Sequence, residues 1–367
     1  MKAGLAWPAR KVYLSELFAG AESVTSNTGG IDQDAEKCKR RSTVDDFSEL
    51  LRSFRLGGSA FIDATLSAPW AIQTPTAVEL GQRMGLASER IIPYHFVSEG
   101  VLVAQLPDGA SERVEAGEAI VFPHGDVHVL ASAHGLSPLK ITTEAVVRLT
   151  RVGAISQVKY GGDGATASLI CGFFACDVSL SERLVTQLPR MFKFKVPQDS
   201  AASLLPLAVQ RPGRPGTKAP APGNAGVLCK LSELLFVESL RAYVDQSPEL
   251  GVGWVSGLKD PVFGKALSVI HAQPRISWTL DSLADVVGTS RTTLCDRFAQ
   301  HLQQTPIQYL MAWRLRTAAS AISHGQLMVK QIAAEAGFSS TAAFSRAFKR
   351  ELGRTPSEWS KMTKPTL

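Results

Sequence analysis

The 367-residue sequence predicts an α+β protein: an N-terminal β-barrel or sandwich with flanking helices, then a C-terminal all-α domain containing one helical pair twice. Three observations predict it. From Gly58 to about Thr150, short β-type runs are separated by Gly, Pro or Asp-Gly, the pattern of an all-β barrel or sandwich. Beyond Gly226 the apolar residues recur every three to four positions, the helical period. Finally, "GTSRTTLCDRFAQHLQQTPIQYL" (Gly288–Leu310) and "GFSSTAAFSRAFKRELGRTPSEW" (Gly337–Trp359) are two copies of one pattern.

Hydrophobic residues make up 45% and charged residues 20%, ordinary globular composition with ample material for a core. No run of eighteen apolar residues is present and the N-terminus lacks a signal-peptide pattern, so a cytoplasmic protein without a membrane segment is expected. The five cysteines (Cys38, Cys171, Cys176, Cys229, Cys295) are odd in number and scattered, which is no disulfide framework. Charge is uneven. Gly264–Leu367 holds 13 Lys+Arg against 6 Asp+Glu, a surplus of 7, whereas the whole chain is +6, so the rest stands at −1. A basic end on a neutral protein suggests nucleic-acid binding.

In order, residues 1–43 read as a flexible arm, with some helical character around Val12–Phe18. "DDFSELLRSFRL" places Phe47, Leu50, Leu51 and Phe54 on one face of a short helix. The strands "SAFIDATL", "IIPYHFV", "GVLVAQL", "SERVEAG", "EAIVFP" and "DVHVLAS" follow, within a domain expected over 44–200. A connector over 201–260 holds the Pro/Gly-rich loop Gln210–Gly226 and the helix "VLCKLSELLFVESLRAYV". The last domain, 261–367, opens with Pro261 at a helix start, where its missing N–H is harmless.

Leu283, Ala284, Gly288 and Ser290 align with Ile332, Ala333, Gly337 and Ser339 at an offset of 49; Leu294, Phe298 and Pro306 align with Phe344, Phe348 and Pro356 at 50. One inserted residue is therefore expected just inside the second helix. In each copy a short helix ends at a glycine suited to the left-handed stop, and Ser290 or Ser339 is placed to cap the helix that follows. Helix, glycine turn and capped helix form a helix-turn-helix, whose second helix enters the DNA major groove. Between the copies, Ile307, Met311, Leu315, Ala318 and Ile322 mark one apolar stripe on a spacer helix.

These residues, with the spacer "WRLRTAASAI", resemble the DNA-binding domain of the AraC/XylS family of bacterial transcriptional regulators over roughly Pro261–Met362. The resemblance implies base-edge contacts from Thr341, Ala342, Ser345 and Arg346, with Ser339 and Ser340 at the helix start and Lys349 and Arg350 on phosphate. In the first copy it implies Ser290, Arg291, Thr292, Thr293, Cys295, Asp296 and Arg297. Asp296 has two readings: accepting from a cytosine amine, or capping or pairing with Arg291 or Arg297.

The β-rich half carries "GEAIVFPHGDVH" (Gly117–His128), which fits the second cupin motif, and "HFVSEG" (His95–Gly100), which matches the end of the first. Pro93 stands where that motif has another histidine. Asp46 to about Val196, with "APW", "GGDGATASLICGFFACD" and the later "LLFVESLRAY", resembles the cupin sensor of one AraC subgroup. The resemblance implies a three-ligand metal site at His95, Glu99 and His128, or the same residues as plain barrel-lining groups once the metal is lost. His124 and His134 are expected in loops. Cys171 and Cys176 allow zinc binding, oxidation sensing or simple packing; a strand would set them on opposite faces unless Gly172 bends it.

The function expected is sequence-specific transcriptional regulation with no enzymatic activity, an effector being sensed by the cupin. Promoter DNA, RNA polymerase, a small-molecule effector and a second copy of the chain are the implied partners; no cofactor is expected beyond an optional divalent metal. The alternatives are a metal-dependent cupin enzyme, or a cysteine-based redox sensor, fused to the DNA-binding domain.

Overall fold

The computed structural model describes residues 61–86, 89–149, 155–209, 224–246, 253–325 and 328–363. The expected arm (1–43), the "DDFSELLRSFRL" helix and most of the Pro/Gly-rich loop lie outside them. All described residues belong to one compact unit.

The first part alternates strands with short helices: β1 (Phe61–Ser67), β2 (Ala71–Gln73), α1 (Ala77–Met84), β3 (Glu89–Glu99), β4 (Val101–Gln105), β5 (Ser111–Glu115), β6 (Glu118–Val121), β7 (Val129–Ala131), β8 (Leu139–Lys140), α2 (Thr143–Leu149), β9 (Ile155–Gly161), β10 (Thr166–Asp177), α3 (Val178–Val185) and β11 (Phe192–Lys195). One sheet runs β11-β6-β3-β10-β1-β9 and the other β5-β4-β7-β2-β8. Between them lies a core that includes Leu66, Trp70, Val97, Leu102, Val114, Phe122, Leu130 and Leu169. The six expected strands are present. Helix α1, which the strand pattern does not predict, is fixed by local chemistry: the Thr76 side chain accepts from the Glu79 N–H, and Gly85 ends the helix at φ 74°.

Strand β10 runs unbroken for 12 residues beside the 11-residue β3, with Cys171 opposite His95. The bend considered at Gly172 is absent. A side chain there would meet the Tyr94 hydroxyl at 2.6 Å, so the glycine makes room for that ring. Tyr94 is fully buried and its Oη lies 2.9 Å from Ser232 Oγ, tying the sheet to the helix after the Pro/Gly-rich loop.

A 3₁₀ turn (Ala201–Leu204) and α4 (Leu205–Val209) close the β-rich part, and α5 (Asn224–Gln246) returns across it. The helical end comprises α6 (Trp254–Gly257), α7 (Pro261–Ala272), α8 (Leu280–Val287), α9 (Arg291–Leu302), α10 (Pro306–Ser323), α11 (Val329–Glu335), α12 (Thr341–Leu352) and α13 (Pro356–Thr363). Helix α10 spans about 27 Å at 1.5 Å per residue and joins the two repeated pairs. Its buried side is wider than the expected stripe, of which Leu315, Ala318 and Ile322 are buried. Ile307 and Met311 are only partly buried, while Tyr309, Leu310, Trp313, Leu315 and Ile322 are buried. The difference has a cause: α10 packs against α3 of the β-rich part as well as against its own repeats.

Candidate DNA-reading helices and an apolar cavity

Each helical pair is set by its end groups. Gly288 and Gly337 stop α8 and the α11 segment at φ 82° and 83°, where a β-carbon is strained. Ser290 Oγ then accepts from the Thr293 N–H at 3.1 Å and caps α9. In the second copy Ser340, not Ser339, performs this role, accepting from the Ala343 N–H at 3.2 Å. The inserted residue therefore lies in the turn, ahead of the cap, rather than inside α12. The Thr-Pro that closes each copy opens the next helix. Thr305 exchanges hydrogen bonds with Gln308 and Thr355 with Glu358, while Pro306 and Pro356 take the first helical position.

Leu294 and Phe298 of α9, and Phe344 and Phe348 of α12, are fully buried. The opposite faces are polar. Ser290, Arg291, Thr292, Asp296, Arg297, Ser339, Ser340, Thr341, Ala342, Arg346, Lys349 and Arg350 are exposed, with Thr293, Cys295 and Ser345 half-buried. The two faces differ in charge. Arg291 pairs with Asp281 at 3.1 Å and Arg297 with Asp260 at 3.2 Å. Asp296 pairs with neither arginine, contrary to one of its two expected readings. On α12, the side chains of Arg346, Lys349 and Arg350 make no hydrogen bond or ion pair among the described residues, although the charge of Glu358 on α13 acts on Lys349.

Inside the β-rich part lies a cavity of about 140 Å³, walled mainly by apolar side chains of both sheets and of α1 and α2. His95 and His128 line it and touch each other, Nε2 to Nε2, at 2.8 Å. Phe122 stacks on His128 with centroids 3.6 Å apart. His128 Nδ1 sits 2.8 Å from the Asp126 carbonyl oxygen, and His95 Nδ1 is buried with no partner. Burial holds His95 well below the ordinary imidazole range, the neighbouring His128 adding to this, and brings His128 down to about 4.

Glu99 does not join the pair. It lies exposed at the far end of β3, four residues or about 13 Å along the strand from His95. Among the described residues no group of three His, Cys, Asp or Glu side chains is placed to hold a metal. Two imidazoles already bonded to each other do not fit the expected three-ligand centre. Cys171 and Cys176 are five residues apart on an unbroken strand, about 16 Å, so they neither share a metal nor form a disulfide. Burial pushes both thiols up to about 12, away from the reactive thiolate. His124 and His134 lie in loops, beside the Leu188 carbonyl and Gln105.

The cavity and the helical end are joined by one continuous element. Strand β10 contributes Cys171, Gly172 and Phe173 to the cavity wall and runs directly into α3, which Asp177 caps. From α3, Ser179 Oγ donates to the Arg316 carbonyl at 3.1 Å, and Arg316 Nη1 donates back to the Ser179 carbonyl at 3.2 Å. Arg316 also holds Glu351 of α12 at 3.2 Å, and Arg183 lies 5.3 Å over the Tyr309 ring. Beneath this contact the Trp254 N–H donates to Tyr309 Oη at 3.0 Å, and Tyr309 Oη lies 2.7 Å from His271 Nε2. The sequence reading named none of these junction residues. Its available signal was Arg314 and Arg316 inside an otherwise apolar helix.

Residues 45–245 match the family described as Cupin, and residues 283–362 match a helix-turn-helix domain. An AraC-like transcription regulator of Streptomyces lividans is 30% identical over 277 residues, covering 74% of this chain and 87% of that protein. The transcriptional regulator AlkR of Acinetobacter baylyi is 25% identical over 323 residues, 86% of this chain and 99% of that protein. Among solved structures, a regulator with an AraC-type DNA-binding domain from Chromobacterium violaceum aligns with 28% of this chain and 93% of its own, at 29% identity and a TM-score of 0.28. No described helix is long and apolar enough to cross a membrane. With a cupin domain ahead of two helix-turn-helix units, the chain belongs to the AraC-like family of DNA-binding transcriptional regulators.

Proposed function

We propose that the chain reads a promoter operator with α9 and α12, and that a small effector held in the cavity between the sheets changes how it does so. Helix α12 supplies most of the attraction: Arg346 faces a base edge, Lys349 and Arg350 meet phosphate, and Thr341, Ala342 and Ser345 lie between them. Helix α9 offers Arg291, Thr292, Thr293 and Asp296, its arginines drawn partly inward by Asp281 and Asp260. The N-cap residues Ser290 and Ser340, with Ser339 beside them, set the helix starts that approach the backbone.

The observation that carries the effector reading is the continuity of β10 with α3. A ligand that favours one position of β10 biases α3, and through Ser179 and Arg316 the linker helix and Glu351 of α12. RNA polymerase and a second copy of the chain are the further proposed partners at the promoter. The test begins with the DNA the full-length chain retains in cells: sequencing it gives the operator and the genes beside it. Recovery of unrelated sequences without a shared motif would overturn the reading of α9 and α12 as sequence readers.

A further inference from the structure

We propose that Arg314 is a positioning residue for DNA recognition. With the Arg275–Glu335 pair beside it, it fixes α9 relative to α12 and so sets the one spacing accepted between two operator submotifs; this rests on α9 and α12 being the readers. Arg314 stands at the middle of α10, between the two helical pairs. Its Nε donates to the Pro274 carbonyl at 2.6 Å and its Nη2 to the Ile276 carbonyl at 2.7 Å. Both carbonyls belong to the α7–α8 loop of the first unit. One edge of a planar guanidinium thus grips one loop twice, which fixes direction as well as distance. The loop is stiff in its own right. Trp278 is buried, its indole N–H donates to the Gln273 carbonyl at 3.0 Å, and its backbone N–H donates to the Ile276 carbonyl at 2.7 Å. Thr279, next in the chain, caps α8, so the grip on the loop extends to the first helical pair.

The far edge of the same guanidinium meets the second unit. A β-carbon at Gly337, the turn glycine before α12, would lie 3.0 Å from Arg314 Nη1, whereas one at the matching Gly288 would meet nothing within 4 Å. The first-unit loop also reaches the second unit directly, because Arg275 pairs with Glu335 of α11 at 2.8 Å. That pair is largely exposed and a weak tie by itself; the half-buried Arg314 carries more of the bracket. A helix joining two units leaves each of them free to tilt about its end. Contacts from the helix midpoint to a loop of one unit and the turn of the other remove that freedom. One base pair added between two submotifs moves one of them about 3.4 Å along the duplex and turns it by about 35°. A locked pair of units follows one submotif, and the other reading helix loses its base contacts.

The test selects binding sequences from a pool of duplexes with a randomised core, using the purified full-length chain. Wild type is expected to enrich two submotifs at a single spacing. Duplexes carrying those submotifs one base pair nearer or farther should then bind it about tenfold or more weakly, the loss of one bidentate base contact. In Arg314→Ala combined with Arg275→Ala the same change should cost no more than about threefold, with affinity at the selected spacing also within about threefold of wild type. A purely structural role would instead weaken binding at every spacing alike and keep the wild-type penalty, which would overturn the proposal. Arg275→Glu sets like charges against each other and should relax the penalty; adding Glu335→Arg should restore it. An unchanged penalty in Arg275→Glu would overturn the proposal even if the Arg314 variant fails to fold. Wild type enriching several spacings equally would overturn it as well, while leaving α9 and α12 as readers. A pool that yields no paired submotifs would overturn the reading of those two helices itself.

Discussion

Acidifying the protein from about pH 8 to about pH 5 should cost it about 2 kcal/mol at His271 alone. His271 is buried, stacked 3.7 Å from Trp313 and bonded to Tyr309, and burial, reinforced by the charge on Arg183, brings its pKa from 6.5 down to about 3. Unfolded, it titrates near 6.5, so between about 6.5 and 3 the unfolded chain binds more protons and stability falls with pH. One and a half pH units below 6.5, at about 1.4 kcal/mol each, give the figure of about 2 kcal/mol. Burial lowers His95 and His128 in the same direction, so they add to the loss on acidification. The assay is urea unfolding followed by tryptophan fluorescence across the pH series, for wild type and His271→Gln. The glutamine oxygen can accept from the Tyr309 hydroxyl but takes no proton. Wild type should lose about 2 kcal/mol more than the variant between the two pH values. Parallel curves would refute the reasoning, because His271 would then titrate alike in the folded and unfolded chains.

On operator and scrambled DNA at matched salt, Arg346→Ala should lose mainly specific binding, about 1–3 kcal/mol, whereas Lys349→Ala should weaken both and lower the salt slope by about one unit. Proportional losses in both variants would make Arg346 a phosphate contact. Phe298→Ala and Phe344→Ala, each removing a fully buried ring, should cost about 3–5 kcal/mol by thermal or chemical denaturation. Arg316→Ala removes the bonds to Ser179 and Glu351, so it should leave unliganded operator affinity within a few-fold and shrink the response to effector. A full response in that variant would place the coupling elsewhere.

The helical pairs were legible because their signals are local. A glycine at positive φ, a serine cap and a Thr-Pro helix start each act within four residues. The one-residue error at the second cap came from adjacent serines, Ser339 and Ser340, which satisfy the offsets of 49 and 50 equally well. The stripe on α10 was read in part: Leu315, Ala318 and Ile322 are buried, but a single stripe describes a helix with one packed face, and α10 also meets α3. The metal triad was implied by the resemblance to the cupin motifs. Four residues on a regular strand would keep His95 and Glu99 on one face, but a bulge in β3, where Val97 pairs with Leu169 and Glu99 with Ser168, turns Glu99 to the other face, about 13 Å along the strand. The cavity and the His95–His128 contact were invisible in the sequence, since they depend on side chains meeting across two sheets.

The unequal charge of α9 and α12 bears on how a set of target promoters evolves. In the proposed reading, the operator half beneath α12 would set most of the grip on DNA, so base changes there would scale occupancy at a promoter up or down. The half beneath α9 would face Asp296, which makes no ion pair among the described residues and as a carboxylate would repel phosphate and accept few base edges. Changes in that half would then move promoters into or out of the regulon. Drift at residue 296 would therefore redraw which genes are controlled while leaving the general grip on DNA intact.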